Sequence, residues 1–144
     1  MMNFIDRALE RINEMSADDF LQSMADIYSE PIERNEIKRY PQFVQDVIFI
    51  VDYDTELQME GLEGFFNDST KDYVNETVVA LKNCGATKEA EILEKCKKID
   101  IENYDEYIEL ENETYLNNDF EGFWKLVKEY IGREKQLKDY NLGG

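Results

Sequence analysis

Histidine is absent from the chain. With it go the side chain best suited to proton transfer near neutral pH and the commonest ligand of catalytic zinc. Glycine-rich phosphate loops, Gly-x-Ser-x-Gly elbows and Cys-x-x-Cys pairs are missing too, so the chain is expected not to be an enzyme and to need no cofactor. The opening Met1-Met2-Asn3-Phe4-Ile5-Asp6-Arg7 lacks the apolar run of a signal peptide. No uncharged stretch nears the ~20 residues of a membrane span. These absences predict a cytoplasmic protein without membrane contact. The only cysteines, Cys84 and Cys96, could pair, but two buried free thiols suit such a chain better.

Basic residues are scarce in a patterned way. The chain carries 33 acids against 16 bases, a formal net charge of -17. From Tyr40 to Thr70 there is no Lys or Arg, and Ile99 to Trp124 repeats the pattern with nine acids. Blocks of one sign repel themselves, stay hydrated and project a negative field toward basic partners. Sixteen bases under that field form no continuous patch, so direct nucleic-acid binding is not expected.

What remains is enough for a core. At 144 residues and 42% hydrophobic, the chain reads as one acidic all-α domain over 1–144, compact and built of about seven helices. Phe4, Ile5, Ala8, Leu9 and Ile12 keep helical spacing; Ser16 and Asp19 mark the start of a second helix that Pro31 ends. Pro41 opens a helix through Phe43, Val44, Val47, Ile48 and Val51, where the run Val47–Val51 leaves a buried strand as the competing choice. Gly61 and Gly64 predict a break, with Phe65-Phe66 as an anchored turn. Ser69 or Thr70 is then the expected cap of a helix stopping at Gly85, and Thr87 that of the next. A Tyr-rich helix over about 101–116 and a last helix from Asp119 complete the count.

The stretch Glu60-Gly61-Leu62-Glu63-Gly64-Phe65-Phe66-Asn67-Asp68-Ser69 is followed by a helix ending Ala80-Leu81-Lys82-Asn83-Cys84-Gly85-Ala86, then Ala90 and Leu93. This pattern, within roughly residues 44–100, resembles the bacterial acidic DNA-mimic protein family. Members usually carry Gly-Gly-Phe where this chain has Glu60-Gly61-Leu62, Asn in place of Asp68 and Gly in place of Lys71. The resemblance implies a compact helical domain that occupies the DNA-binding surface of a DNA-binding protein.

Two sets of acids are candidates for such a surface. On a continuous 101–116 helix, Glu102, Asp105, Glu106, Glu109 and Glu113 fall within a ~100° sector opposite Ile101, Tyr104, Tyr107, Ile108 and Tyr115. Over about 16 Å of axis these charges recur every ~3–4 Å, close to the ~3.4 Å phosphate rise of one DNA strand. An ordinary solvated acidic face is the plain alternative. Glu111 falls on the apolar side and has no place in the scheme. The tyrosine face is either core or a seam toward a partner, a second copy in a homodimer included.

The second set is Asp52, Asp54, Glu56, Glu60 and Glu63. Its spacing imitates a calcium loop, but Leu57 stands where the loop needs glycine, so no metal is expected. The expected role of both sets is to bind a basic protein, above all a DNA-binding protein. The competing reading is an immunity-type inhibitor of a basic toxin or enzyme that does not imitate DNA.

Overall fold

The computed structural model describes the chain except Met1, Asp68, Asp100, Ile101, Glu102 and Gly144, and gives backbone alone for Ser69 and residues 136–143. Eight α-helices, joined by turns and short 3-10 segments, make up the described residues, which contain no strand. α1 spans Phe4–Glu10 and α2 Ala17–Met24. α3 runs over Gln42–Asn67, α4 over Val74–Asn83 and α5 over Thr87–Cys96. α6 covers Tyr104–Glu111, α7 Tyr115–Asn118 and α8 Phe120–Gly143.

Local chemistry explains most boundaries. The Asn3 side chain accepts from the Asp6 amide at 2.9 Å while Asp6 accepts from the Asn3 amide at 3.1 Å, a reciprocal cap for α1. Ser16 caps α2 through the Asp19 amide at 3.0 Å. Pro41, with no amide to satisfy, offers its carbonyl to the amides of Val44 and Gln45 at the head of α3. At Gly85, φ is +88°. The Ala86 amide there turns back to the Leu81 carbonyl at 2.8 Å, closing α4 as expected of a left-handed glycine.

Two expected caps are corrected. A 3-10 segment over Ser69–Tyr73 precedes α4, and the Thr70 hydroxyl donates to the Phe65 carbonyl behind it instead of capping ahead. Thr87 is the first residue of α5, whose cap position is Ala86 without a side-chain bond.

Helix, not strand, wins at Val47–Val51. Every residue from Asp46 to Tyr53 is buried, and a helix apolar on all sides must lie at the centre. α2, α4, α6 and α8 all touch α3. A single cluster joins Phe4 and Ile5 of α1, Phe20 of α2, α3, Leu81 of α4, Leu93 of α5 and Val127 of α8.

The glycine break is real but smaller than expected. Only Gly61 leaves helical geometry (φ 74, ψ -174). Gly64 stays helical, and Phe65-Phe66 are helical core-facing aromatics, not a turn: Phe65 meets Tyr53 edge-on at 5.2 Å. The amide of Leu62, freed by the break, donates to Glu111 Oε1 at 2.9 Å. A Cβ on Gly61 would lie 2.2 Å from that same oxygen.

The continuous helix expected over 101–116 is likewise corrected. It ends at Glu111, and α7 restarts at Tyr115. The Thr114 hydroxyl donates to the Glu111 carbonyl at 2.7 Å, a local bond that competes with helix propagation. Buried Glu89 then takes the Tyr115 amide at 2.6 Å and the Tyr53 hydroxyl at 2.7 Å. Tyr115 is thereby drawn into the core, where it stacks on Phe123 at 4.0 Å between ring centres.

Gly61→Ala is expected to destabilise the fold by roughly 1–3 kcal/mol, since φ near +74° suits only glycine and the added methyl meets Glu111. Urea denaturation of the variant beside the parent measures it. An unchanged midpoint would show that the break can form without glycine.

Candidate partner-binding surface

α6 is short, and its position is fixed by what it buries. Asn103 accepts from the Glu106 amide at 3.4 Å and donates to Glu106 Oε1 at 2.7 Å, starting the helix reciprocally. Tyr107 is the buried residue of the helix. Its ring lies 6.0 Å from that of Phe66 on α3. At the other end, Glu111 reaches the Leu62 amide. A buried aromatic and a carboxylate-to-amide bond thus tie both halves of α6 to the segment after Gly61.

Facing outward are Tyr104, Asp105, Glu106, Ile108 and Glu109, all exposed. Asp105 and Glu109 stand one turn apart, about 6 Å along the axis, with Glu106 beside them. The five-acid stripe is therefore reduced. Glu113 lies exposed in the turn after α6, off the helix, and Glu102 lies outside the described residues. Tyr104 and Ile108 stay exposed at 54% and 40%, while Tyr107 and Tyr115 are core. The tyrosine face therefore divides between interior and surface.

The second set divides further. Asp52 leaves the surface array: it is buried and clasped by the Arg34 guanidinium at 2.6 Å and 2.7 Å, with the Tyr28 hydroxyl donating at 2.6 Å. Taking either partner from such a pair costs several kcal/mol in general. Asp54 is half-buried and accepts from the Tyr115 hydroxyl and from Gln58 at 2.9 Å. Glu56 and Glu63 are half-buried, and Glu60 is exposed. Because α3 is helical here, residues two apart point ~200° around the axis from one another, so Asp52, Asp54 and Glu56 cannot wrap one cation. Among the described residues, no group of three or more His, Cys, Asp or Glu could hold a metal ion.

Inside the molecule, carboxylates act as braces. Asp46, fully buried, accepts from Gln42 at 2.8 Å, Asn83 at 2.9 Å and the Tyr130 hydroxyl, joining α3 to α4 and α8. Burial raises Glu89 above the usual carboxylate range, against the lowering effect of its Tyr53 and Tyr115 donors. Near the N-terminus the opposite holds. The Asn3 amide and Tyr40 hydroxyl lower Asp6, and Arg7 lowers Glu30. Cys84 and Cys96 are buried free thiols; burial pushes Cys96 up to about 12, which leaves it a poor nucleophile.

Sequence reasoning missed the Arg34–Asp52 clasp and the role of Glu111. For Glu111 a signal existed: an acid on the apolar side of a helix, in a chain with a glycine break elsewhere, has a backbone amide to satisfy. Among the described residues, no helix is long and apolar enough to cross a membrane.

The fold is thus all-α, with a set of carboxylates held outward on a braced helix whose sequence block carries no Lys or Arg. The chain belongs to the DMP19-like protein family, the family of DNA mimic protein 19, whose sequence profile matches residues 38–141. No curated protein and no solved structure is significantly similar to it.

The buried and capping carboxyls fix the pH response. Glu89, raised on folding, contributes stability below its unfolded value that is lost as pH rises through its folded value. Asp6 and Glu30, lowered on folding, contribute stability above their unfolded values that is lost on acidification through their folded values. The melting temperature is therefore expected to rise as pH falls from 7.5 to about 5, helped by relief of surface repulsion, and to fall below about 4. Thermal melts of the parent and Glu89→Gln check this, the variant losing part of the rise.

Proposed function

We propose that the protein works by occupancy, covering the basic, DNA-binding surface of a protein partner with carboxylates held where phosphates would otherwise lie. Asp105, Glu106 and Glu109 of α6 form the centre of the proposed surface, with Glu60 and Glu113 as neighbouring acids. The observation that carries the reading is the bracing of α6. These acids are exposed, no base lies within their sequence block, and Tyr107 and Glu111 hold the helix against α3. Carboxylates fixed in this way meet Arg and Lys with little ordering cost, and the field of a chain of net charge -17 speeds encounter at low salt.

Family membership supports a DNA-binding protein as the partner. The local cost of the array favours a use for it as well, since the like-charge pair Asp105/Glu109, one turn apart, weakens the helix by about 0.2–0.5 kcal/mol.

The test is capture on the immobilised full chain from native lysate at low salt, followed by elution with duplex DNA. The partner is expected to leave the column with DNA. Changing Asp105, Glu106 and Glu109 to Lys is expected to lower affinity for the purified partner roughly ten- to a hundredfold at low salt while leaving the chain folded, with a small loss in melting temperature from the Glu106–Asn103 bond that starts α6. A partner released by salt but not by DNA favours the inhibitor of a basic toxin or enzyme. Unchanged affinity of the triple variant would sink α6 as the binding surface.

A further inference from the structure

Where α2, α3 and α8 meet, the helices do not close on one another. They leave a groove of about 800 Å³ walled by Leu21, Ala25, Val51, Thr55, Phe120 and Trp124. Tyr28 and Phe120 stand at its edge 49% and 46% exposed. None of the α6 acids Asp105, Glu106 and Glu109 lines it.

The groove's rim has a sign. Asp18, Asp54, Glu121 and Glu129 line it against Lys125 and Lys128, and Lys128 is engaged by Asp18 at 3.0 Å. Past Tyr28 and Thr55 a second concavity of about 790 Å³ continues the surface, lined by Glu33, Glu36 and Asp72. Met59 is 72% exposed there. The one base of this second lining, Arg34, is clasped to Asp52.

An apolar floor with a negative rim limits what can sit on it. A second copy of this chain would bring another -17 charges against the same rim. Nucleic acid and anionic lipid meet the same repulsion. A helix of ~10 Å diameter fills about 800 Å³ in roughly two turns, the length over which one apolar stripe repeats at i, i+3/i+4 and i+7.

We propose that this groove seats a basic amphipathic helix of the partner, its apolar stripe against Leu21, Val51, Phe120 and Trp124 and its Lys and Arg flanks against the acidic rim. The proposal rests on the reading of the partner as a basic protein. It adds a second contact, driven by apolar burial and thus less sensitive to salt than the α6 array.

Trp124 is the sole tryptophan of the chain, so its emission reports on the groove directly. The probe is a tryptophan-free synthetic helix of about 18 residues built of Lys and Leu, with Leu at i, i+3/i+4 spacing. Two controls replace Leu by Gln or Lys by Gln. At about 150 mM salt the Lys/Leu helix is expected to shift Trp124 emission saturably and to bind the full chain at least about tenfold tighter than either control.

Ala25→Arg, which fills the groove with like charge, and the exposed-site change Phe120→Ser are each expected to weaken that binding about tenfold. Equal binding of the Lys/Leu and Lys/Gln peptides overturns the apolar seat. Equal binding of the Lys/Leu and Leu/Gln peptides overturns the basic occupant, and unchanged affinity in both groove variants places the site elsewhere. The DNA-elution experiment fails or succeeds independently, so loss of the DNA-mimic reading and loss of the groove are told apart.

Discussion

The structure depends on one constraint: α3 carries an unbroken buried stretch, Asp46 to Tyr53, that cannot touch water on any side. A half-buried helix would need one neighbour, whereas this one needs a ring of them. α2, α4, α6 and α8 supply the ring. Acids of α3 then help to seat α4, α7, α8 and the segment that leads into α3. Asp46 takes Asn83 of α4 and Tyr130 of α8, Asp52 takes Tyr28 and Arg34, and Asp54 takes Tyr115 of α7. Apolar burial supplies most of the driving force, and these directed bonds select one arrangement among many of similar burial.

The carboxylates thus serve two purposes that the overall charge conceals. Those on the inner side are satisfied by tyrosine hydroxyls, amides and one guanidinium, and their removal would leave buried donors unpaired. Those on the outside, with Asp105, Glu106 and Glu109 as the clearest group, are held by the backbone of a braced helix and left to the solvent or a partner. Position along the base-free blocks does not distinguish the two. Asp52 and Glu60 belong to the same block, and one is buried while the other is exposed.

Much of the fold was legible because helical periodicity and caps are local signals. Ser16, Pro41 and Gly85 punctuate the chain as their chemistry dictates. The helix count was nearly right for that reason. Where the longest expected surface helix failed, a distant residue had reinforced a local break at Thr114. The 101–116 periodicity is good, yet Glu89, 26 residues away, takes the Tyr115 amide and helps to end it. Of the candidate acids, the α6 set was legible as an outward face. Asp52 was not, since its partner Arg34 lies 18 residues off across an irregular segment that carries no period to read.

The Gly61 joint has a consequence for how this surface could vary. α6 is indexed to the segment after the break by Glu111 and Tyr107. One residue inserted between Tyr53 and Gly61 would turn the segment just after the break by ~100° about the helix axis and carry the α6 face fastened to it toward a new bearing. An insertion among residues 112–114 would leave that bearing untouched. The phase of a single helix, set by a glycine and read by a carboxylate, fixes the direction in which the outer charge points.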